Sequence, residues 1–457
     1  MGLPYRRPGM LWLVSGTRTP LMIATAQERT LRGKSQREKV SRATLAKLRA
    51  KERRFDPIEV LRASTEGRVP QLLPIKYARM KVSPFAFFRG AVSIMAEDLG
   101  RLAHSNLQVQ LCGDAHVQNL GSFATPDGKL VFDLNDFDET IRGPWEWDVK
   151  RMATSIVLAG QESGHSRPGC KDAAVAFAES YCRSISEFSE VPILQVARHQ
   201  IHRERRIQPI QAALRQSERA RPLDLLKKFT DRDSHRQRRF RDLRPSFWRI
   251  RGARAKDVLN SLGPYRKNLA PERRHLFDLF QSIDVGFKVV GTGSVGLRDY
   301  VVLFEGNGAN DPMFLQIKQE VASAYANFLP AGQQHHGRRA AEGQRAIQPI
   351  SDLLLGWTTI GHHHYLVRQL NDHKGNVDLQ KLRGAGLRSL ALVAGELLAR
   401  GHARSGDACE ISGYCGSGAK MAKALRDFAS EYADQTEADY GAFVAAIESG
   451  KIRVATA

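Results

Sequence analysis

Long apolar runs, paired cysteines and repeats are all missing from this chain of 457 residues. No stretch approaches the roughly eighteen apolar residues of a membrane-spanning helix, so no span is expected. Five cysteines (Cys112, Cys170, Cys182, Cys409, Cys415) form neither a CxxC pair nor a set spaced for zinc. An odd count without a secretory signal fits a reducing, cytoplasmic compartment. Near the start, Gly16, Arg18 and Pro20 break up the apolar residues that follow Arg6 and Arg7. The first 26 residues therefore read as a disordered tail or an over-extended start, not as a signal peptide. No internal repeat or extended low-complexity segment is present.

Positive charge is abundant but uneven. The formal net charge is +21, and residues 203–256 hold eighteen Lys or Arg against six Asp or Glu, a local excess of twelve. Such a block suits a polyanion: nucleic acid, an acidic lipid surface or an anionic substrate. Aromatics for stacking on bases are sparse there (Phe229, Phe240, Phe247, Trp248). Residues 203–219 and 223–240 alternate charge with Ile, Leu and Phe at helical spacing, so a solvated helical face is favoured over nucleic-acid binding.

The most informative string is Gly113-Asp114-Ala115-His116-Val117-Gln118-Asn119, followed by Asn135-Asp136-Phe137-Asp138-Glu139. Residues 109–112 and 130–134 read as short buried strands, which puts both acidic motifs at strand ends. A turn closed by local Asp and Asn hydrogen bonds would explain either string alone. Together they suit phosphoryl transfer: one carboxylate orients a hydroxyl, while an amide and a second carboxylate hold magnesium against phosphates. Asp114 is the expected base, with Asn119 and Asp136 as metal ligands and Asp133 as a second candidate. His116 is expected to shape the loop, with proton transfer as its lesser role.

A second constellation lies in a strand-rich stretch. Residues 285–290 lead into Gly291-Thr292-Gly293-Ser294-Val295-Gly296, and 298–304 look like another strand. In a dinucleotide-binding fold GxGxxG must open a helix. Here a strand follows it, the form that covers ATP phosphates in kinases. The next strand, 313–318, ends in Lys318, where a phosphate-contacting cation belongs. An ordinary glycine hairpin and a surface lysine are the plain alternative. A helix over 338–354 should supply the acidic partner of Lys318; Glu342 is best placed, and Glu320 is the fallback. If the motifs meet, Lys318 and Asp136 should stand about 5–12 Å apart, the span of a metal-bound triphosphate.

The chain divides into a basic, partly disordered arm (1–60), a helical segment carrying the acidic motifs (61–200), a basic helical insertion (201–283), a strand-rich segment (284–372) and a second helical segment (373–457). A helix over 85–99 leads into the first motif, and helices near 152–158 and 171–188 follow it.

Five strings, 83–90, 112–116, 132–139, 143–151 and 291–296, resemble the bacterial family called domain of unknown function 2252, a likeness that runs from about residue 28 to 447. Its motifs are in turn similar to those of aminoglycoside and choline phosphotransferases, relatives of protein kinases. Asp114 and Asn119 match their catalytic loop, Asp136 and Asp138 their metal motif, and Gly143, Pro144 and Asp148 a later segment that anchors the loop. Cys112 stands where those enzymes carry histidine. The order is also reversed, because the glycine loop and Lys318 follow the catalytic loop. The resemblance therefore implies an α+β, kinase-like two-lobed fold that is circularly permuted, with termini in the helical lobe. Residues 397–403 look like the helix preceding the catalytic loop. ATP and magnesium are the implied cofactors, and the acceptor is an unidentified small-molecule or protein hydroxyl, with an anionic compound as one candidate. Gly291, Gly293, Ser294, Gly296, Lys318 and Glu342 would hold the nucleotide. Nucleotidyl transfer, a two-metal phosphohydrolase using the clustered acids, and a non-catalytic nucleotide or nucleic-acid binder are the alternatives.

Overall fold

A computed structural model describes residues 24–455 apart from 49–51, 202–206, 220–221, 235–236 and 371–373. Most of the expected N-terminal tail thus lies outside the described residues. The fold is α+β, with helices from both ends of the chain packed together and a sheet built from its middle.

Helix α1 (Ala26–Lys39) begins with a reciprocal cap between Thr25 and Glu28. It docks on a helix near the other end of the chain, where Arg29 meets Asp407 at 2.9 Å and Arg37 Nε donates to the Tyr414 carbonyl at 2.9 Å. Leu45 and Leu48 belong to the main core, so the stretch read as an arm is seated on the body. Helices α2 (Leu73–Met80), α3 (Pro84–Gly90) and α4 (Val92–Arg101) follow. The single helix expected over 85–99 is therefore two, broken at Ala91.

Strands β1 (Gln108–Leu111) and β4 (Ile141–Pro144) pair antiparallel, while β2 (Leu120–Ala124) and β3 (Leu130–Leu134) form a hairpin. The Asp114 motif links β1 to β2, and the Asp136 motif links β3 to β4. Helices α5 (Trp145–Glu162) and α6 (Arg167–Glu190) come next. They pack with α8 (Gly386–Ser405), α9 (Ala408–Cys415) and α10 (Ala419–Glu448) around one large core. Among the described residues, no helix is long and apolar enough to cross a membrane.

The basic block is less helical than its spacing suggests. A helix ends at Phe229, and β5 (Thr230–Arg232) and β6 (Arg238–Phe240) form a hairpin. Then β7 (Phe247–Ile250) pairs with β8 (Gln281–Lys288) at the edge of a six-stranded antiparallel sheet. Aromatic Phe247 and Trp248 draw this strand in; Trp248 stacks on Phe287 at 4.5 Å. The sheet continues through β9 (Asp299–Glu305), β10 (Pro312–Glu320), β12 (His363–Gln369) and β11 (Gly356–Ile360). Helix α7 (His336–Ile347) follows β10 and stops seven residues short of the expected end. Strand β13 (Gly375–Asn376) returns the chain to β2.

Candidate active site

One cavity of about 860 Å³ lies between the helical body and the sheet. Asp114, His116, Asn119, Asp136, Lys318 and the 291–294 loop all line it, although their segments are far apart in sequence. Among the described residues, none from 203–256 does.

The first acidic loop is held from below. Asp148 on α5 accepts from Cys112 N at 2.8 Å and Gly113 N at 3.0 Å, the anchoring role its motif implies. Gly113 has φ +82°, and a Cβ there would lie 2.2 Å from the Glu139 carbonyl oxygen, so only glycine lets the two acidic loops touch. Asp114 is ion-paired to the fully buried Arg151 at 2.5 Å. Burial alone would raise the Asp114 carboxyl, but the Arg151 guanidinium, with Arg89, overrides it and holds the group below its ordinary value. Asp114 is thus ionised and aimed. His116 is 3.6 Å from Asp114, and its pKa falls to about 3, chiefly through burial, so the ring is neutral. It packs edge-on against Phe85, in keeping with a loop-shaping role. Asn119 spends its amide nitrogen on the Asp114 carbonyl at 2.9 Å, which leaves the amide oxygen for another partner.

The second loop meets the sheet directly. Lys318 is ion-paired to Asp138, and Asp136 lies 3.8 Å away, closer than the expected span. Burial would lower the lysine, but Asp136 and Asp138 raise it above its ordinary value. Asp136 is pushed up by burial and by Asp138, and its Oδ1 is buried without a hydrogen-bond partner. Ser294 Oγ donates to Asp138 at 2.6 Å, tying the glycine loop to the acidic one.

The glycine loop opens no α-helix; a single 3-10 turn (Thr292–Ser294) precedes β9. Gly296 takes φ +94°, a conformation that favours glycine. A Cβ at Gly291 would meet nothing within 4 Å. Basic side chains from the helical body grip the loop carbonyls. Arg68 donates to Gly293 O at 2.8 Å and Val295 O at 2.6 Å, Lys76 to Thr292 O at 3.2 Å, and Arg79 to Val290 O.

Three expected site residues, Gly296, Glu342 and Asp133, are not among the residues that line the cavity. Glu342 faces outward and pairs with Arg338 at 2.7 Å, one turn back on α7. The inward residue of that helix is Arg339, which donates to the carbonyls of Asp138 at 2.6 Å and Val321 at 2.9 Å and so supports the acidic loop. Glu320, the fallback, is buried beside Lys318 and lines the cavity. Asp133 is buried and paired with Arg400 of α8 at 2.6 Å, which takes it out of any metal cluster. Sequence reasoning passed over Arg151 and Arg89, although both stand in the strings that carry the family resemblance. It also passed over Lys288, Arg368 and Lys374, for which no motif gave a signal.

No curated protein and no solved structure matches the chain. The model of a family described as an uncharacterized protein conserved in bacteria (DUF2252) matches residues 68–446, and the chain belongs to that family.

Proposed function

We propose that this protein is an ATP- and magnesium-dependent phosphotransferase of kinase-like type, acting on a hydroxyl acceptor and built on a circularly permuted two-lobed fold. The observation that carries the reading is the meeting of Lys318 with Asp136 and Asp138 beneath the glycine loop, 182 and 180 residues apart in sequence. Chain order within the sheet adds support. A glycine loop joins two strands, the next strand bears the lysine, and a helix follows it, as in protein kinases. The helices opposite come from both ends of the chain, as a permuted second lobe requires.

The donor set suits a metal that arrives with phosphate. Among the described residues, no group of three or more His, Cys, Asp or Glu is arranged to hold a metal alone. Asp136, with its orphaned buried oxygen, and the Asn119 amide oxygen would supply two ligands, which is the usual protein share for magnesium on a nucleotide. When bound, magnesium would neutralise phosphate charge. Lys318 would contact the α- and β-phosphates after exchanging its pair with Asp138. Asp114, fixed by Arg151, would orient the acceptor hydroxyl. As that oxygen bonds to the γ-phosphorus and the bridging β–γ bond breaks, the hydroxyl proton passes to Asp114 and ADP departs. In such a loose transition state, aim matters more than basicity, which suits a carboxylate of lowered pKa.

The test is a melting-temperature screen followed by label transfer. ATP and magnesium together should stabilise the protein more than either alone, by about 2.7 kcal/mol at one hundred times the dissociation constant. Asp114→Asn should keep that stabilisation and lower turnover of γ-labelled ATP by roughly two to four powers of ten. Transfer of an α-label instead would mean nucleotidyl transfer. No shift at millimolar ATP and magnesium would sink the reading.

A further inference from the structure

Around Lys318 the cavity holds further positive charge, on Lys288, Arg368 and Lys374, that the proposed catalysis does not use. Lys288 closes β8, Lys318 stands on β10, Arg368 on β12, and Lys374 just precedes β13; all four line the cavity. Strand register places Gln316 opposite Arg368 and Asp299 opposite Lys318. Gln316 Nε2 donates to Asp299 at 2.6 Å, and Arg368 Nε donates to Gln316 Oε1 at 3.1 Å. A neutral amide therefore stands between Asp299 and the guanidinium, which is oriented without a direct ion pair and feels Asp136 and Asp138 only through space. Neither Lys288 nor Lys374 has a hydrogen-bond or ion-pair partner among the described residues.

Removal from water lowers the amine pKa of both lysines. For Lys288, Asp299 opposes the effect; for Lys374, Arg368 reinforces it, and the value falls to about 7. Like charges confined in a cleft of reduced dielectric repel one another, and an anion of several charges relieves that repulsion. The cavity lacks something as well. No Phe, Tyr or Trp is among its described lining residues, so a purine finds no aromatic ring to stack on.

We propose that this recess is a pocket for a condensed phosphate chain, in which Lys288, Arg368 and Lys374 join Lys318, and that the donor is selected by its phosphates and not by its base. Naming the chain as a donor rests on the phosphotransferase reading; the pocket itself does not. ATP, GTP and inorganic tripolyphosphate share the chemistry that the recess recognises.

Isothermal titration of the full chain with inorganic tripolyphosphate, ATP, GTP and adenosine, each with magnesium, tests this. Tripolyphosphate and GTP should bind within about tenfold of ATP, and adenosine should not bind. Lys288→Met and Lys374→Met should each weaken tripolyphosphate by about tenfold or more, Lys374→Arg should restore most of the loss, and Glu342→Ala should change nothing. A melt of each variant reports whether it folds. Binding of ATP without tripolyphosphate would overturn the proposal and leave the phosphotransferase reading standing, as would folded lysine variants of unchanged affinity. Tripolyphosphate bound without ATP would uphold the pocket and overturn ATP as donor. Binding of neither would overturn both.

Discussion

The two walls of the cavity treat charge in opposite ways. On the helical side Asp114 meets Arg151, and behind the wall Asp133 meets Arg400 and Asp148 takes two backbone amides. On the sheet side Lys288 and Lys374 have no partner among the described residues, and a buried Glu320 oxygen has no hydrogen bond. A buried charge costs several kcal/mol unless something compensates it. The fold itself accounts for the helical wall. On the sheet wall Lys318 is paired with Asp138, and on the proposed reading a bound polyanion would compensate Lys288 and Lys374. The helical side has exceptions: Arg89 Nε, His116 Nδ1, Asp136 Oδ1 and two nitrogens of Arg400 are buried without a hydrogen bond, and Arg89 is close enough to Asp114 and Asp136 for their charges to act on it.

The largest effect expected from this contrast is on stability. Arg151→Met strands a buried carboxylate, and breaking such a pair costs about 3–5 kcal/mol in denaturant unfolding at pH 7. Adding Asp114→Asn should recover much of the loss, because the uncompensated charge is gone. Lys374→Met removes a cation that folding disfavours, so it should leave stability unchanged or slightly raised. Equal losses in the two single variants would erase the distinction between the walls.

Next in size is the metal site. Asp136→Ala removes the carboxylate with the orphaned oxygen and should abolish the magnesium-dependent share of the stabilisation, which for magnesium and nucleotide together totals about 2.7 kcal/mol at one hundred times the dissociation constant. Melting curves with ATP alone and with ATP plus magnesium measure it. A variant that keeps the full magnesium increment would move the metal away from Asp136.

These contrasts bear on how far the site can be read from sequence. Strand β3 is found at its expected bounds, and the lysine strand runs two residues past its expected end, because short runs of β-prone residues between turn signals leave few alternatives. The acidic and glycine motifs were legible for a similar reason: their chemistry is local. Glu342 was misplaced because a carboxylate every turn or so satisfies a pattern, while the inward face of α7 is set by packing against the sheet, and that face carries Arg339. Asp133 looked like a ligand because its partner, Arg400, is 267 residues away. Strand β7 was hidden inside a charge run whose alternation also fits a helix. The lysines of the recess meet only through cross-strand register, which no local pattern encodes.

A smaller effect separates the walls by pH. The Lys374 pKa of about 7 arises from burial and the neighbouring Arg368, with Lys288 and Lys318 acting the same way and Asp136 opposing. Below that pH the amine is charged and would hold an anion; above it the free protein has lost the proton and would have to take one up to bind. Tripolyphosphate affinity at saturating magnesium should therefore fall by about tenfold between pH 7 and 8.5, toward 1.4 kcal/mol. Calorimetry in buffers of different ionisation enthalpy reads the proton uptake directly. The slope should flatten in Lys374→Met; an unchanged slope there would assign the titration to another group.

The smallest effect tests the reassignment on α7. The Arg338–Glu342 pair has side chains 48% and 44% exposed and the i,i+4 spacing of a surface helix pair. Such pairs contribute about 0.3–0.5 kcal/mol, so Glu342→Ala should shift the melting temperature by a degree or two at most and leave the magnesium–nucleotide increment intact. Glu320→Gln should behave differently. Burial, then Asp138, push the Glu320 carboxyl well above its ordinary value. A neutral amide would therefore cost little in the empty protein. Exchange of the Lys318 pair on nucleotide binding, however, would bring the lysine toward phosphate and away from Asp138, and Glu320 is the acid left beside it on the same strand. If that exchange occurs, Glu320→Gln weakens magnesium–nucleotide binding while Glu342→Ala does not. The reverse order of effects would return the lysine's partner to the helix, and the outward pair would have to be a resting arrangement that nucleotide undoes.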